Sequence, residues 1–159
     1  MRMRVGLGID AHAFAVGRPL VLGGVHIAHE RGLAGHSDAD VLAHAVMDAL
    51  LGAARIGDIG QLFPDSDPSY RDADSLGLLQ TVGRLVVARG MSIEDIDCVI
   101  VAQAPRLAPY RGAMRANIAD VLGLEVEQVG IKATTTERLG FEGREEGISA
   151  HAVALLCCC

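Results

Sequence analysis

Two short stretches bring together side chains that bind metals. The segment "GIDAHAF", residues 8–14, carries Asp10 and His12, and it continues an apolar run, "VGLGI", that reads as a strand from Arg4 to Ile9. Residues i and i+2 of a strand face the same way, roughly 7 Å apart. A carboxylate and an imidazole therefore project together. The segment "GHSDADVLAHAVMDALLGAA", residues 35–54, carries His36, Asp38, Asp40, His44 and Asp48. Asp40, His44 and Asp48 are spaced four apart and share one helix face. Their neighbours Val41, Leu42, Ala45, Val46, Ala49 and Leu50 are apolar. A histidine held between two carboxylates on an apolar helix fits a metal ligand with hydrogen-bonded support. Two histidines and one carboxylate would leave a tetrahedral zinc with an open fourth position, which marks a catalytic or substrate site. Taken singly, each pattern is also that of a solvated strand end or a satisfied core histidine.

Three further stretches could meet a phosphorylated ligand. "GDIGQLFPDSD", residues 57–67, sets Asp58 and Asp65 in a Gly/Pro-rich loop around Phe63, where turn chemistry also accounts for the residue types. "AQAPRLAPYR", residues 102–111, is where a buried strand gives way to a loop with Arg106. "KATTTERLGFEGR", residues 132–144, offers three consecutive threonines to a phosphate, and Glu137 could hold a hard cation such as Mg²⁺. Each of the last two, alone, is also what a solvated loop looks like.

The elements that must position these residues are legible in outline. "PLVLGGVHIA" reads as a hairpin turning at Gly23-Gly24. Asp38 to about Ile56 reads as a helix, with Ser37 as its N-cap and Gly57 closing it. Ser75 to Arg89 is a second helix, buried through Leu76, Leu79, Val82 and Val86. "DCVIVAQA" reads as a central strand, Pro109 to Leu122 as a third helix closed by Gly123, and "QVGIKATT" and "GISAHAVALL" as the last two strands. The expected fold is α+β: a mixed sheet covered by helices, with an N-terminal hairpin, in one domain over residues 1–159.

Composition narrows the function. The net charge of -6 and 3% aromatic content give no basic or stacking surface for nucleic acid. Apolar runs fall short of the roughly 20 residues of a membrane span, and Asp10 breaks the run after Arg2 and Arg4, against a signal peptide. Cys98 and the run Cys157-Cys158-Cys159 form no Cys-x-x-Cys pair, so a reducing, cytoplasmic setting is expected. No function attaches to the cysteine run.

The stretches "DAHAF", "HSDADVLAHAVMDALLGAARIGDIGQLFPDSDP", "AQAPRLAPY" and "KATTTERLGFEGREEGI" together resemble the 2-C-methyl-D-erythritol 2,4-cyclodiphosphate synthases, the cyclising enzymes of the non-mevalonate isoprenoid pathway. The resemblance runs from Arg4 to about Leu156. It implies a phosphorus–oxygen lyase that converts 4-diphosphocytidyl-2-C-methyl-D-erythritol 2-phosphate to the cyclic diphosphate and releases CMP. Asp10, His12 and His44 would be ligands of one Zn²⁺, or of another divalent transition metal, and Asp10 and His12 would also lie at the substrate. His36 and Ser37 would meet its phosphate and methylerythritol part. Asp58, Ile59, Gly60, Phe63, Pro64 and Asp65 would wall the erythritol hydroxyls. Ala102, Gln103, Ala104, Pro105, Arg106, Leu107 and Ala108 would form the cytidine pocket. Thr134, Thr135, Thr136 and Glu137 would hold the diphosphate with Mg²⁺ or Mn²⁺. Phe141 and Arg144 match further substrate positions, and His36 and Thr135 would act in catalysis. The resemblance also implies a homotrimer with active sites between subunits. Leu7 and Ile9 depart from it, standing where a more polar and an aromatic residue are expected, and Arg106 stands where lysine is common. On the residues alone, a metal-dependent phosphoesterase and a metal-stabilised binding module stay open.

Overall fold

The computed structural model describes residues 1–158. Its strands are β1 (Arg2–Ala15), β2 (Leu20–Leu22), β3 (Val25–Ile27), β4 (Gly32–Leu33), β5 (Met91–Val101), β6 (Val129–Thr134) and β7 (Gly147–Cys158). Its helices are α1 (Val41–Ala54), α2 (Ile59–Leu62), α3 (Ser75–Ala88), α4 (Arg111–Leu122) and α5 (Gly140–Gly143). The main sheet has five strands in the order β4-β1-β7-β5-β6, and β2 and β3 form the separate expected hairpin. Only β5 and β6 run parallel; the other pairs are antiparallel, so the sheet is mixed and the fold α+β.

Several expectations are refined. β1 continues through Asp10 and His12 to Ala15, because Ala11 to Ala13 keep their ladder with β7. The "DCVIVAQA" strand starts earlier, at Met91, and as expected it is an interior strand, between β7 and β6. The polar loop after β6 folds into the single turn of α5. The first helix begins at Val41, three residues later than expected, and its cap is Asp40, whose side chain accepts from Ala43 N. Ala39, just before that cap, is left-handed at φ 57°, so Ser37 lies outside the helix. At the other end Arg55 takes the left-handed position and caps the helix before Gly57 is reached.

Nearly every side chain of α1 is buried, as in a helix enclosed on all sides. It lies on β1 and β7, and α3 packs behind it. Gly6 and Gly8 make that seat: a methyl group at Gly8 would collide with the Ala45 carbonyl oxygen, and one at Gly6 with that of Ala49. The helix backbone therefore rests directly on the strand. The other face of β1 is uncovered, leaving Met3, Val5, Leu7 and Ile9 exposed beside Val153 of β7.

Candidate active site

The close seat of α1 lowers His44 onto the two inward residues of β1. His44 Nδ1 lies 2.9 Å from Asp10 Oδ2 and 3.3 Å from His12 Nε2, and His12 Nε2 lies 2.9 Å from the same Asp10 oxygen. One ligand atom from each of the three falls within 4.8 Å of the others, a group able to hold a metal ion. His12 Nδ1 stands 2.8 Å from the Ala34 carbonyl oxygen. A carbonyl only accepts, so that nitrogen carries the proton and Nε2 is left to face Asp10 and His44. Burial alone would raise the Asp10 carboxyl, but hydrogen bonds and charge from His12 and His44 prevail and hold it down to about 2. For His12 burial works downward, and the Asp10 carboxylate outweighs it, leaving the imidazole above its usual 6.5.

The expected support of His44 by Asp40 and Asp48 is not what forms. The Asp40 carboxylate is engaged by the backbone N–H groups of Gly23, Gly24 and Ala43, at 2.9, 2.8 and 3.0 Å, so it ties the hairpin turn to the helix start. Its complete burial pushes it up to about 6, against the pull of those N–H groups, and Asp38 adds to the rise. Asp48 accepts from Ile59 N at 2.9 Å and anchors the following loop. His44 Nε2 instead meets two hydroxyls, Ser75 Oγ at 3.0 Å and Ser37 Oγ at 3.2 Å. Ser75 carries no local signal in the sequence, since it lies 31 residues away and looks like an ordinary helix start.

The three ligand-type residues line a cavity of about 630 Å³ together with His36, Ser37, Ile59, Gly60, Phe63, Pro64 and Asp65. Gly35, Met47, Tyr70 and Leu78 complete the wall and were not anticipated. Tyr70 packs edge-on to Phe63 with ring centroids 5.2 Å apart. Aromatic side chains are scarce in this chain, and that scarcity was the available hint. Asp58 does not line the cavity; its carboxylate accepts from Gln61 N and caps α2.

A second cavity, about 390 Å³, opens where β5 and β6 end. Ala102, Gln103, Pro105, Arg106, Leu107, Ala108, Thr134 and Thr135 line it, with Ala133. Gln103 Oε1 accepts from Arg138 N at 3.1 Å and joins the two loops. Ala104, Thr136, Glu137, Phe141 and Arg144 line neither cavity. Glu137 is exposed and left-handed at φ 54°, and Arg144 pairs with Glu146. The two cavities share no residue. Among the described residues no cysteine lines either cavity, and burial together with Asp97 pushes the Cys98 thiol up to about 12.

A mixed sheet with helices on one face and a three-residue group able to hold a metal ion on the wall of a cavity defines an α+β protein with a metal-type site. The chain belongs to the YgbB family, whose profile matches residues 3–157. It is 57% identical over 154 residues to the 2-C-methyl-D-erythritol 2,4-cyclodiphosphate synthase of Chlorobium phaeobacteroides, covering 97% of each chain. Among solved structures, the bifunctional IspDF of Campylobacter jejuni superposes with a TM-score of 0.94 at 44% identity over 98% of this chain, which spans 42% of that longer protein. A 2C-methyl-D-erythritol-2,4-cyclodiphosphate synthase in its CDP-bound form gives 0.89 at 38% identity, covering 97% of this chain and 100% of that one.

Proposed function

We propose that this chain is a lyase that cyclises 4-diphosphocytidyl-2-C-methyl-D-erythritol 2-phosphate to 2-C-methyl-D-erythritol 2,4-cyclodiphosphate. An oxygen of the 2-phosphate bonds to the β-phosphorus, the bond from that phosphorus to the oxygen of the α-phosphate breaks, and CMP leaves. The observation that carries the reading is the Asp10–His12–His44 group on the wall of the larger cavity. Its carboxylate-and-imidazole donors, with the far nitrogen of each histidine already occupied by protein oxygens, fit Zn²⁺. Zinc held there would supply positive charge to a phosphate oxygen. Glu137, a lone exposed carboxylate, suits Mg²⁺ or Mn²⁺ that takes its other ligands from the diphosphate and water.

Phosphoryl transfer asks the protein chiefly for alignment and charge neutralisation. In this reading His36 and Ser37 donate to the 2-phosphate and fix its approach. Phe63, Pro64, Ile59 and Gly60 hold the methylerythritol, and Asp65 accepts from its hydroxyls. Ala102 to Ala108 bind the cytidine, while Thr134 and Thr135 donate to the diphosphate as charge grows on the leaving oxygen.

The chain works as one domain, in the cytoplasm, as a homotrimer whose site joins the metal cavity of one subunit to the nucleotide cavity of the next. The bare apolar row of β1, with Val5 58%, Leu7 61% and Ile9 55% exposed, supports assembly through the open sheet face. No helix among the described residues is long and apolar enough to cross a membrane.

The test is product identification by ³¹P NMR after incubation with substrate, Zn²⁺ and Mg²⁺ in ¹⁸O-labelled water. CMP and a cyclic diphosphate, both free of label, are expected. Label in either product would mean hydrolysis and replace the synthase with a phosphoesterase.

A further inference from the structure

We infer that Ser75 and Asp38 are positioning residues for the metal site: they fix His44 as the tautomer protonated on Nε2, so that the Nδ1 lone pair faces Asp10 and His12. The inference rests on Asp10, His12 and His44 being metal ligands. Ser75 is the first residue of α3 and is fully buried. Its backbone N–H donates to Asp38 Oδ2 at 3.0 Å, and its hydroxyl is hydrogen-bonded to Asp38 Oδ1. Asp38 Oδ1 also accepts from Asp40 N at 3.2 Å, so the carboxylate is clamped by donors from two segments.

The direction of the chain of hydrogen bonds follows from counting protons. An ionised carboxylate only accepts, and a hydroxyl has one proton to give. The Ser75 proton goes to Asp38, so Ser75 Oγ can only accept from His44 Nε2, 3.0 Å away. The proton between them belongs to histidine. Nδ1 is then unprotonated in the neutral ring and lies on the side of Asp10 and His12. Ser37 cannot do this alone. Its hydroxyl accepts from Ala39 N at 3.3 Å and keeps a free proton, which could be given to Nε2 and would favour the wrong tautomer. Ser75, with its proton committed to a carboxylate, prevents this. The arrangement parallels the Ala34 carbonyl behind His12, but with a serine and an aspartate reaching in from α3 and from the segment ahead of α1.

The experiment measures zinc affinity by competition with a chromophoric chelator, in the full-length protein, for wild type, Ser75→Ala and Ser75→Thr, with a melting curve for each. Loss of such a partner weakens metal binding by about 10–100-fold, and that loss is expected for Ser75→Ala. Ser75→Thr, which keeps the hydroxyl, should recover most of it. Equal affinity in wild type and Ser75→Ala overturns the inference, as does equal weakening in both variants. If Ser75→Ala does not fold, long-range ¹H–¹⁵N spectra of zinc-loaded wild type decide: a proton on His44 Nε2 with Nδ1 ligated is expected, and ligation through Nε2 overturns it. Wild type that takes up no zinc would instead remove the metal site itself, and the positioning role with it.

Discussion

His44 meets Asp10 and His12 through one ring nitrogen and Ser37 and Ser75 through the other. Purified protein should therefore carry about one zinc per chain. His44→Ala should lose most of it, by elemental analysis, while circular dichroism stays native; full occupancy in the variant would exclude His44 as a ligand. A pH dependence follows for the zinc-free protein. Asp10 is held at about 2, below its ordinary 3.8, so its contribution is present above pH 3.8 and is lost as pH falls toward 2. His12 is raised above 6.5, so its contribution is full below pH 6.5 and is lost as pH rises through the raised value. Asp40, raised to about 6, adds its own decline between 3.8 and 6, so the informative window begins at 6.5. As pH rises above 6.5 the Tm of zinc-free protein should fall, and in His12→Gln the fall should be smaller. With zinc present the trend should reverse, because metal binding needs the ligands deprotonated. A wild-type Tm that is level across this window without zinc would contradict the Asp10–His12 pairing.

The contact between β1 and α1 depends on two missing side chains. Gly8→Ala would push the helix off the strand, and the expected cost is about 1–3 kcal/mol in urea unfolding, with zinc affinity lowered as His44 moves. Gly52, also in α1, has open space where a methyl would go, and Gly52→Ala should stabilise by about 0.5–1 kcal/mol. Equal effects at both glycines would show that close approach is not what Gly8 provides. This contact also marks how far the sequence could be read. The period-2 and helical patterns gave every strand but the two-residue β4, the hairpin at Gly23-Gly24 and three of the helices, since each pattern is local. Strand spacing puts Asp10 beside His12, and the family resemblance adds His44; the structure brings these three together in a group able to hold a metal ion. Their supporting shell was not legible. Asp40 and Asp48 share a helix face with His44, yet their carboxylates are claimed by backbone N–H groups of the hairpin and of Ile59. Ser75 and Tyr70 arrive by tertiary packing, which leaves no periodic trace. Cys157 and Cys158 end β7 without entering either cavity, and Cys159 lies outside the described residues.

The open face of the sheet bears on assembly. A trimer that buries Val5, Leu7 and Ile9 cannot accept a charge there, so Leu7→Glu should sediment as a monomer and lose activity while each chain stays folded. A variant that stays trimeric would move the interface elsewhere. In the proposed trimer one substrate is served by the cavity with Asp10, His12 and His44 of one subunit and the cavity with Arg106 and Thr135 of the next. His44→Ala disables the first, and Thr135→Ala with Glu137→Ala disables the second. When the two inactive proteins are mixed in equal amounts, unfolded and refolded together, each site draws one half from each neighbour. About a quarter of sites then have both halves intact. The formation of cyclic diphosphate in that mixture, against refolded wild type, is the deciding measurement. Activity near a quarter of the wild-type level is expected, and a mixture verified to contain hybrid trimers but still inactive would contradict a site shared between subunits.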